Sequence, residues 1–208
     1  MDILSDPADM SAYVDGFMWV LRLTVTSAIA SFILGVILAG FRVSPIPVLR
    51  GIGFLWVSAF RNTPLTLIIF FCYFALYSTF GLKFSSNITI NNFWLGVVGL
   101  SVYTASFVCE AIRSGINSVP VGQVEAARAL GLTFMQVLRL VILPQAIRST
   151  IGPMGSVLIA LAKNTTIVGT IGVIEASSVM KGLINDPGDQ VIPIFVLFAG
   201  TFAVVLIP

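Results

Sequence analysis

Long apolar runs separated by short polar interruptions make up most of the chain. Phe17 to Phe41 is apolar apart from Arg22 and a few Thr and Ser residues, enough for one membrane-spanning helix at about 20 residues per span. Arg22, near one end of the run, has an aliphatic stem that lets it snorkel to the headgroups. Further apolar runs cover 52–80, 93–112, 147–173 and 191–208. The pattern predicts an all-α fold, a polytopic membrane bundle of about five helices.

The interruptions carry most of the punctuation. Residues 1–16 hold Asp2, Asp6, Asp9 and Asp15 and no basic residue, the reverse of a signal peptide's basic start, and are expected to form a polar tail. Arg61-Asn62-Thr63-Pro64 breaks the second run. Thr63 as N-cap and Pro64 at the first helical position predict a restart there. Either one long kinked helix or a short interfacial helix followed by the span fits this pattern. Gly81–Asn92, with Lys83 its only charge, is expected to be a loop, as is Glu175–Gln190 with Asp186, Pro187 and Asp189. The third run carries Ser101, Tyr103, Thr104 and Ser106, with Glu110 and Arg113 at its far end.

Between the third and fourth runs, 113–146 is different in kind. Within it, VPVGQVEAARALGLTFMQVLRLVILP, from Val119 to Pro144, is charge-bearing and helix-forming. Pro120 suits a first helical position and Gly131 a left-handed C-cap, which predicts a helix of about 11 residues and roughly 16 Å. Thr133 and Gln136 have capping-box spacing, so a second helix is expected to start there and to run to a break at Pro144.

Composition narrows the class. With 57% hydrophobic and 10% charged residues and a mean hydropathy of +1.03, the chain of 208 residues has too much apolar surface for one soluble core. A net charge of +2 without a basic run gives no nucleic-acid signal. The absence of His removes the commonest general base and metal ligand, and no GxSxG elbow is present. Cys72 and Cys109 lie in separate apolar runs without CxxC spacing and are expected to be buried thiols.

Basic residues set the orientation. The connections holding Arg42, Arg50, Arg61, Arg113, Arg128, Arg139 and Arg148 share one side under a five-span topology, whereas the opposite loops hold Lys83 and Lys181. The arginine-rich side is expected to be cytoplasmic, with the N-terminus outside. No internal repeat is evident, which disfavours a stand-alone secondary carrier. No GxxxxGK[ST] is present, so the chain has no P-loop of its own.

Glu125, Ala126, Ala127, Gly131, Leu143 and Pro144 form a pattern that resembles the EAA loop of membrane subunits of ATP-binding-cassette importers. RNTPLTL (Arg61–Leu67), EAIRSGINSVPVGQ (Glu110–Gln123), PQAIR (Pro144–Arg148) and KNTTI (Lys163–Ile167) are similar to the polar amino acid uptake family, and within it to actinobacterial glutamate-uptake permeases. The resemblance covers about 42–181.

It implies a single permease domain, 1–208, in a bacterial cytoplasmic membrane, type I importer-like, with the 113–146 loop in the cytoplasm. The implied partners are an ATPase homodimer holding ATP and Mg²⁺, a second permease subunit (a sister chain or a second copy), an extracytoplasmic amino acid-binding protein and lipid. The chain itself carries no cofactor and no catalytic residue. Gln123, Glu125, Ala126, Ala127, Arg128, Gly131 and Pro144 are the implied coupling residues.

Candidates for the substrate path are polar groups in or beside the spans: Arg61, Asn62, Thr63, Tyr103, Lys163, Asn164 and Thr165. Lys163 lies about 16 residues, roughly 24 Å, into the fourth run, too deep to snorkel to the cytoplasmic face. It is expected to face a protein-lined path or to pair with an acid, with Glu110 as the nearest acidic candidate by depth if the spans are offset. Related permeases often have Asp where this chain has Asn164, and its loss disfavours a cationic substrate. Glutamate is the leading expectation, and glutamine and arginine are the alternatives. An ATP-independent carrier or channel, and a membrane scaffold or intramembrane enzyme, are the readings from other classes.

Overall fold

The computed structural model describes residues 6–185 and 191–205, and their regular structure is entirely helical. In order these are α1 (Pro7–Val43), α2 (Pro47–Arg61), α3 (Leu65–Phe70) extended by a π-helical segment (Phe71–Thr79), α4 (Ile88–Asn117) and α5 (Val121–Ala129). Next come α6 (Phe134–Val137), a second π segment (Leu138–Ile142), α7 (Leu143–Asn164), a 3₁₀ segment (Thr165–Ile171), α8 (Ala176–Asn185) and α9 (Val191–Val205).

An all-helical chain follows from its solvent, because within hydrocarbon every backbone group must be satisfied inside its own segment. Helix α1, helix α4 and the continuous stretch Phe134–Ile171 are each long and apolar enough to cross a membrane. Helices α2 and α3 with its extension pass that test only as a broken pair, and α9 is a shorter apolar helix of 15 residues. Val25, Ile29 and Ile33 on one face of α1 are more than half exposed, which suits contact with lipid rather than water.

Several expected boundaries move. Of the anticipated polar tail, residues from Pro7 onward are already helical, because Asp6 accepts from the Ala8 amide at 2.8 Å and caps the start of α1. Pro64, not Thr63, is the cap of α3, and Pro120, expected at the first helical position, is instead the cap of α5, which begins at Val121. Helix α4 starts at Ile88 rather than near Phe93, since Asn87 Oδ1 accepts from the Thr89 and Ile90 amides at 2.9 and 3.2 Å. No break occurs at Pro144. The π segment just before it shifts the hydrogen-bond register, so a residue without an N–H is accommodated in the first turn of α7.

The expected polar loop after Glu175 is instead α8 up to Asn185; Asp186, Pro187 and Asp189 lie outside the described residues. Glu175 is fully buried, and its carboxylate accepts from the Ser177 and Ser178 amides at 2.8 and 3.0 Å and from both hydroxyls. It thereby supplies the acceptors that the first turn of a helix lacks.

The chain divides into two compact units. The first comprises Met1–Ile29, Thr63–Ser101 and Leu158–Pro208. Its core joins Phe17 and Val20 of α1 to Ala176 and Val179 of α8 and to Ile194 and Phe198 of α9. Tyr13 packs edge-on to Phe198, and its hydroxyl shares a hydrogen bond with Thr201. The second unit comprises Ala30–Asn62 and Val102–Val157. Leu38 and Ala39 of α1, Val57 of α2, and Ala105 and Cys109 of α4 form its core. Small residues bring these helices close, as is general in membrane bundles. A Cβ on Gly35 would run into Val108, and one on Gly115 into the Thr150 hydroxyl.

Candidate coupling surface and transport residues

The connection between α4 and α7 is built by two adjacent local motifs, both in the second unit. Helix α5 ends on Leu130, and Gly131 follows with φ +83°, the left-handed conformation that costs glycine nothing. The Leu132 amide donates to Ala127 O at 3.2 Å and the Gly131 amide to Arg128 O at 2.9 Å, the paired bonds of a Schellman closure. Two residues later Thr133 opens α6 with a complete capping box. Its backbone amide donates to Gln136 Oε1 at 2.8 Å, and its hydroxyl accepts from the Gln136 amide at 3.4 Å. The elbow between α5 and α6 is therefore fixed on both sides.

A third contact ties α5 to α7. Gln145 Nε2 donates to Gln123 Oε1 at 2.7 Å and also to Val141 O at 2.8 Å. On α5, Glu125, Ala126, Arg128 and Gln123 are exposed, whereas Ala127 is buried. Pro144 is exposed in the first turn of α7. Beside these, Val121, Leu130 and Phe134 expose large apolar side chains, Leu130 at 83%. None of the three is among the expected coupling residues; their nearness to the Glu125–Ala127 pattern was the available signal.

The transport candidates separate into two sets, one in each unit. In the second unit, the Arg61 guanidinium sits over the Phe107 ring, 5.5 Å from its centroid, and Phe107 contacts Tyr103 with ring centroids 5.0 Å apart. Phe107 was absent from the expected set, yet it links two members of it. Asn62, exposed, follows Arg61 at the end of α2.

In the first unit, Lys163 is exposed and lines a cleft of about 510 Å³ with Ile159, Thr166, Phe202 and Ala203. Asn164 is half-buried beside it. Thr165 is fully buried and donates its hydroxyl to Ala162 O at 2.7 Å, so that group is spent on the turn into the 3₁₀ segment. Thr166, not Thr165, is the threonine of the cleft. Thr63 is half-buried ahead of α3.

Glu110 does not pair with Lys163. Its carboxylate takes Arg42 Nη2 at 3.1 Å on one oxygen and Arg113 Nη2 and Nε at 2.7 and 3.1 Å on the other. These are the ion pairs among the described residues, and Lys163 is in neither. The Glu110–Arg113 contact was legible as an (i, i+3) pair on one helix face, whereas Arg42 arrives from α1 through tertiary packing.

The model of the binding-protein-dependent transport system inner membrane component matches residues 31–207. The glutamate transport system permease protein GluC of Corynebacterium efficiens is 47% identical over 207 residues, covering 97% of this chain and 91% of the relative. The probable glutamine ABC transporter permease protein GlnM of Bacillus subtilis is 36% identical, covering 96% and 89%. Among solved structures, an amino acid ABC transporter crystallised with histidines superposes with a TM-score of 0.87 at 26% identity, covering 99% of this chain and 92% of that one. The chain belongs to the family of binding-protein-dependent transport system inner membrane components.

Proposed function

We propose that the chain is the permease subunit of an ATP-driven amino acid importer, with glutamate as its substrate. It carries no ATPase site itself and works as one permease domain in the cytoplasmic membrane, with its N-terminus outside and the α4–α7 connection in the cytoplasm. ATP and Mg²⁺ belong to a pair of ATPase subunits, and an extracytoplasmic binding protein delivers the amino acid. A second permease subunit completes the pathway.

The observation that carries the mechanism is the doubly locked elbow. Helix α5 presents Glu125, Ala126 and Arg128 with the apolar Val121, Leu130 and Phe134, a surface of the kind that seats in a partner's groove. The Schellman closure and the capping box make α5 and α6 move as one piece, and Gln123–Gln145 passes that movement to α7. Closure of the ATPase pair thus becomes a displacement of a membrane helix. Glutamate as substrate rests on the similarity to GluC, together with a cationic Lys163 cleft and a neutral Asn164.

Proteoliposomes holding the permease, its ATPase partner and the matching binding protein test the reading. Labelled glutamate is expected to accumulate only with internal ATP, ahead of glutamine and arginine. Uptake driven by an ion gradient without ATP would overturn it.

A further inference from the structure

A second charged cleft, in the second unit, is used by neither the coupling surface nor the transport residues. Arg42 at the end of α1, Arg50 in the first turns of α2 and Arg113 on α4 line a cavity of about 410 Å³, with Pro47, Gly51 and Phe54 as its apolar wall. The charge does not balance. Among the described residues Glu110 is the one carboxylate bonded to this group, and it serves both Arg42 and Arg113. Arg50 is exposed and belongs to neither ion pair. Three guanidiniums against one carboxylate leave an excess of two positive charges around an open cavity.

Donors remain as well as charge. A guanidinium has five N–H groups, of which Arg42 commits one and Arg113 two to Glu110. Helix α2 begins over the same cavity, and its cap residue Ile46 makes no side-chain cap bond. Arg42 also sits over the Phe54 ring, 5.4 Å from its centroid, which together with Glu110 restrains its fork before any ligand arrives. Preorganised guanidiniums suit a tetrahedral phosphate ester.

The surroundings indicate where that phosphate comes from. Along α2 the neighbours Val48, Ile52, Phe54 and Leu55 are exposed by 47 to 69%. A small soluble anion would use the arginines and leave this apolar strip uncovered, whereas a lipid would use both. We infer that Arg42, Arg50 and Arg113 form a headgroup site for an acidic phospholipid, whose acyl chains lie along the exposed apolar side of α2. The site holds the α1–α2 connection to the lipid leaflet while other parts of the chain move.

Native mass spectrometry of the purified permease–ATPase complex, after exchange into nanodiscs of phosphatidylcholine doped with phosphatidylglycerol, tests this. The intact complex is expected to retain phosphatidylglycerol in preference to phosphatidylethanolamine doped at the same fraction. Arg50→Gln, which touches no ion pair, is expected to weaken that retention about tenfold, the loss of one charge-assisted contact. Arg148→Gln, an exposed arginine outside the cleft, is expected to leave it unchanged. Equal retention by both variants and the unaltered complex, or no preference for the acidic lipid, overturns the site. Displacement of the lipid by millimolar inorganic phosphate, with no dependence on acyl chains, overturns the lipid assignment in favour of a free-anion site.

Discussion

Gln145 and Gln123 join side chain to side chain at 2.7 Å, and through them the first turn of α5 is fastened to the first turn of α7. The bond spans 22 residues of sequence and bridges the whole elbow. A neutral hydrogen bond of this kind is worth about 1 kcal/mol. Under the proposed coupling its role is directional rather than energetic, since it connects α5, the helix proposed to face the ATPase, to α7. Gln145→Ala and Gln123→Ala are each expected to lower uptake per ATP hydrolysed by about fivefold, the equivalent of that one bond. The double variant is expected to do no more than either single one. Additive losses in that cycle would show that the two amides act separately.

Gly131 offers a second handle on the same elbow. At φ +83° a β-branched side chain is strained, so Gly131→Val is expected to cost about 1–2 kcal/mol and to loosen the Schellman closure. Thr133→Ala removes the side-chain half of the capping box, at about 1 kcal/mol. Both variants are expected to insert normally while substrate-stimulated ATP hydrolysis and uptake fall together. Stimulation and uptake at unaltered levels in Gly131→Val would refute the rigid-elbow account.

Glu110 predicts a stability effect instead. Glu110→Gln leaves Arg42 and Arg113 facing each other without their shared carboxylate, and both side chains are partly shielded. The expected loss is about 1–3 kcal/mol, discounted from the value for a fully buried pair because the group is partly open to solvent. Thermal unfolding of the detergent-solubilised complex reads it directly. Arg42→Gln, which leaves Glu110 paired with Arg113, is expected to cost less; a larger loss for Arg42→Gln would contradict this ordering.

Topology is testable by labelling. In a background lacking Cys72 and Cys109, a cysteine in place of Asp6 is expected to react with an impermeant thiol reagent from outside and one in place of Gln123 from the cytoplasm. Labelling of both from one side would remove the orientation on which the coupling scheme depends.

What could be read in advance from the sequence was local. The capping box of Thr133 and Gln136 and the left-handed Gly131 depend on residues within a few positions of one another, and both stand as expected. Pro144 misled because its rule assumes an α-helical register upstream, and the π segment Leu138–Ile142 changes that register. Helix α8 was hidden because Glu175 reads as a loop charge until its burial and its four donors are known. Arg42 and Phe107 were invisible as site residues for another reason. Their partners, Glu110 and Arg61, are brought to them by tertiary packing.

The substrate's charge is the sharpest remaining test. Lys163 is exposed in an open cleft, belongs to neither ion pair among the described residues, and has the Thr166 hydroxyl and apolar Phe202 and Ala203 for neighbours. A lysine so placed is within reach of an anionic side chain entering the cleft, and a charge-assisted contact of this kind is worth about 1.5–3 kcal/mol. Lys163→Gln is therefore expected to cut glutamate uptake about ten- to a hundredfold. Glutamine uptake, which gains nothing from the ammonium, should change by less than about threefold, well under 1 kcal/mol. Basal ATP hydrolysis is expected to stay within the same margin, because the residue lies outside the elbow. Equal losses for the two amino acids would make Lys163 a structural residue, and transport of arginine in preference to glutamate by the unaltered complex would reverse the assigned sign while leaving the importer reading in place.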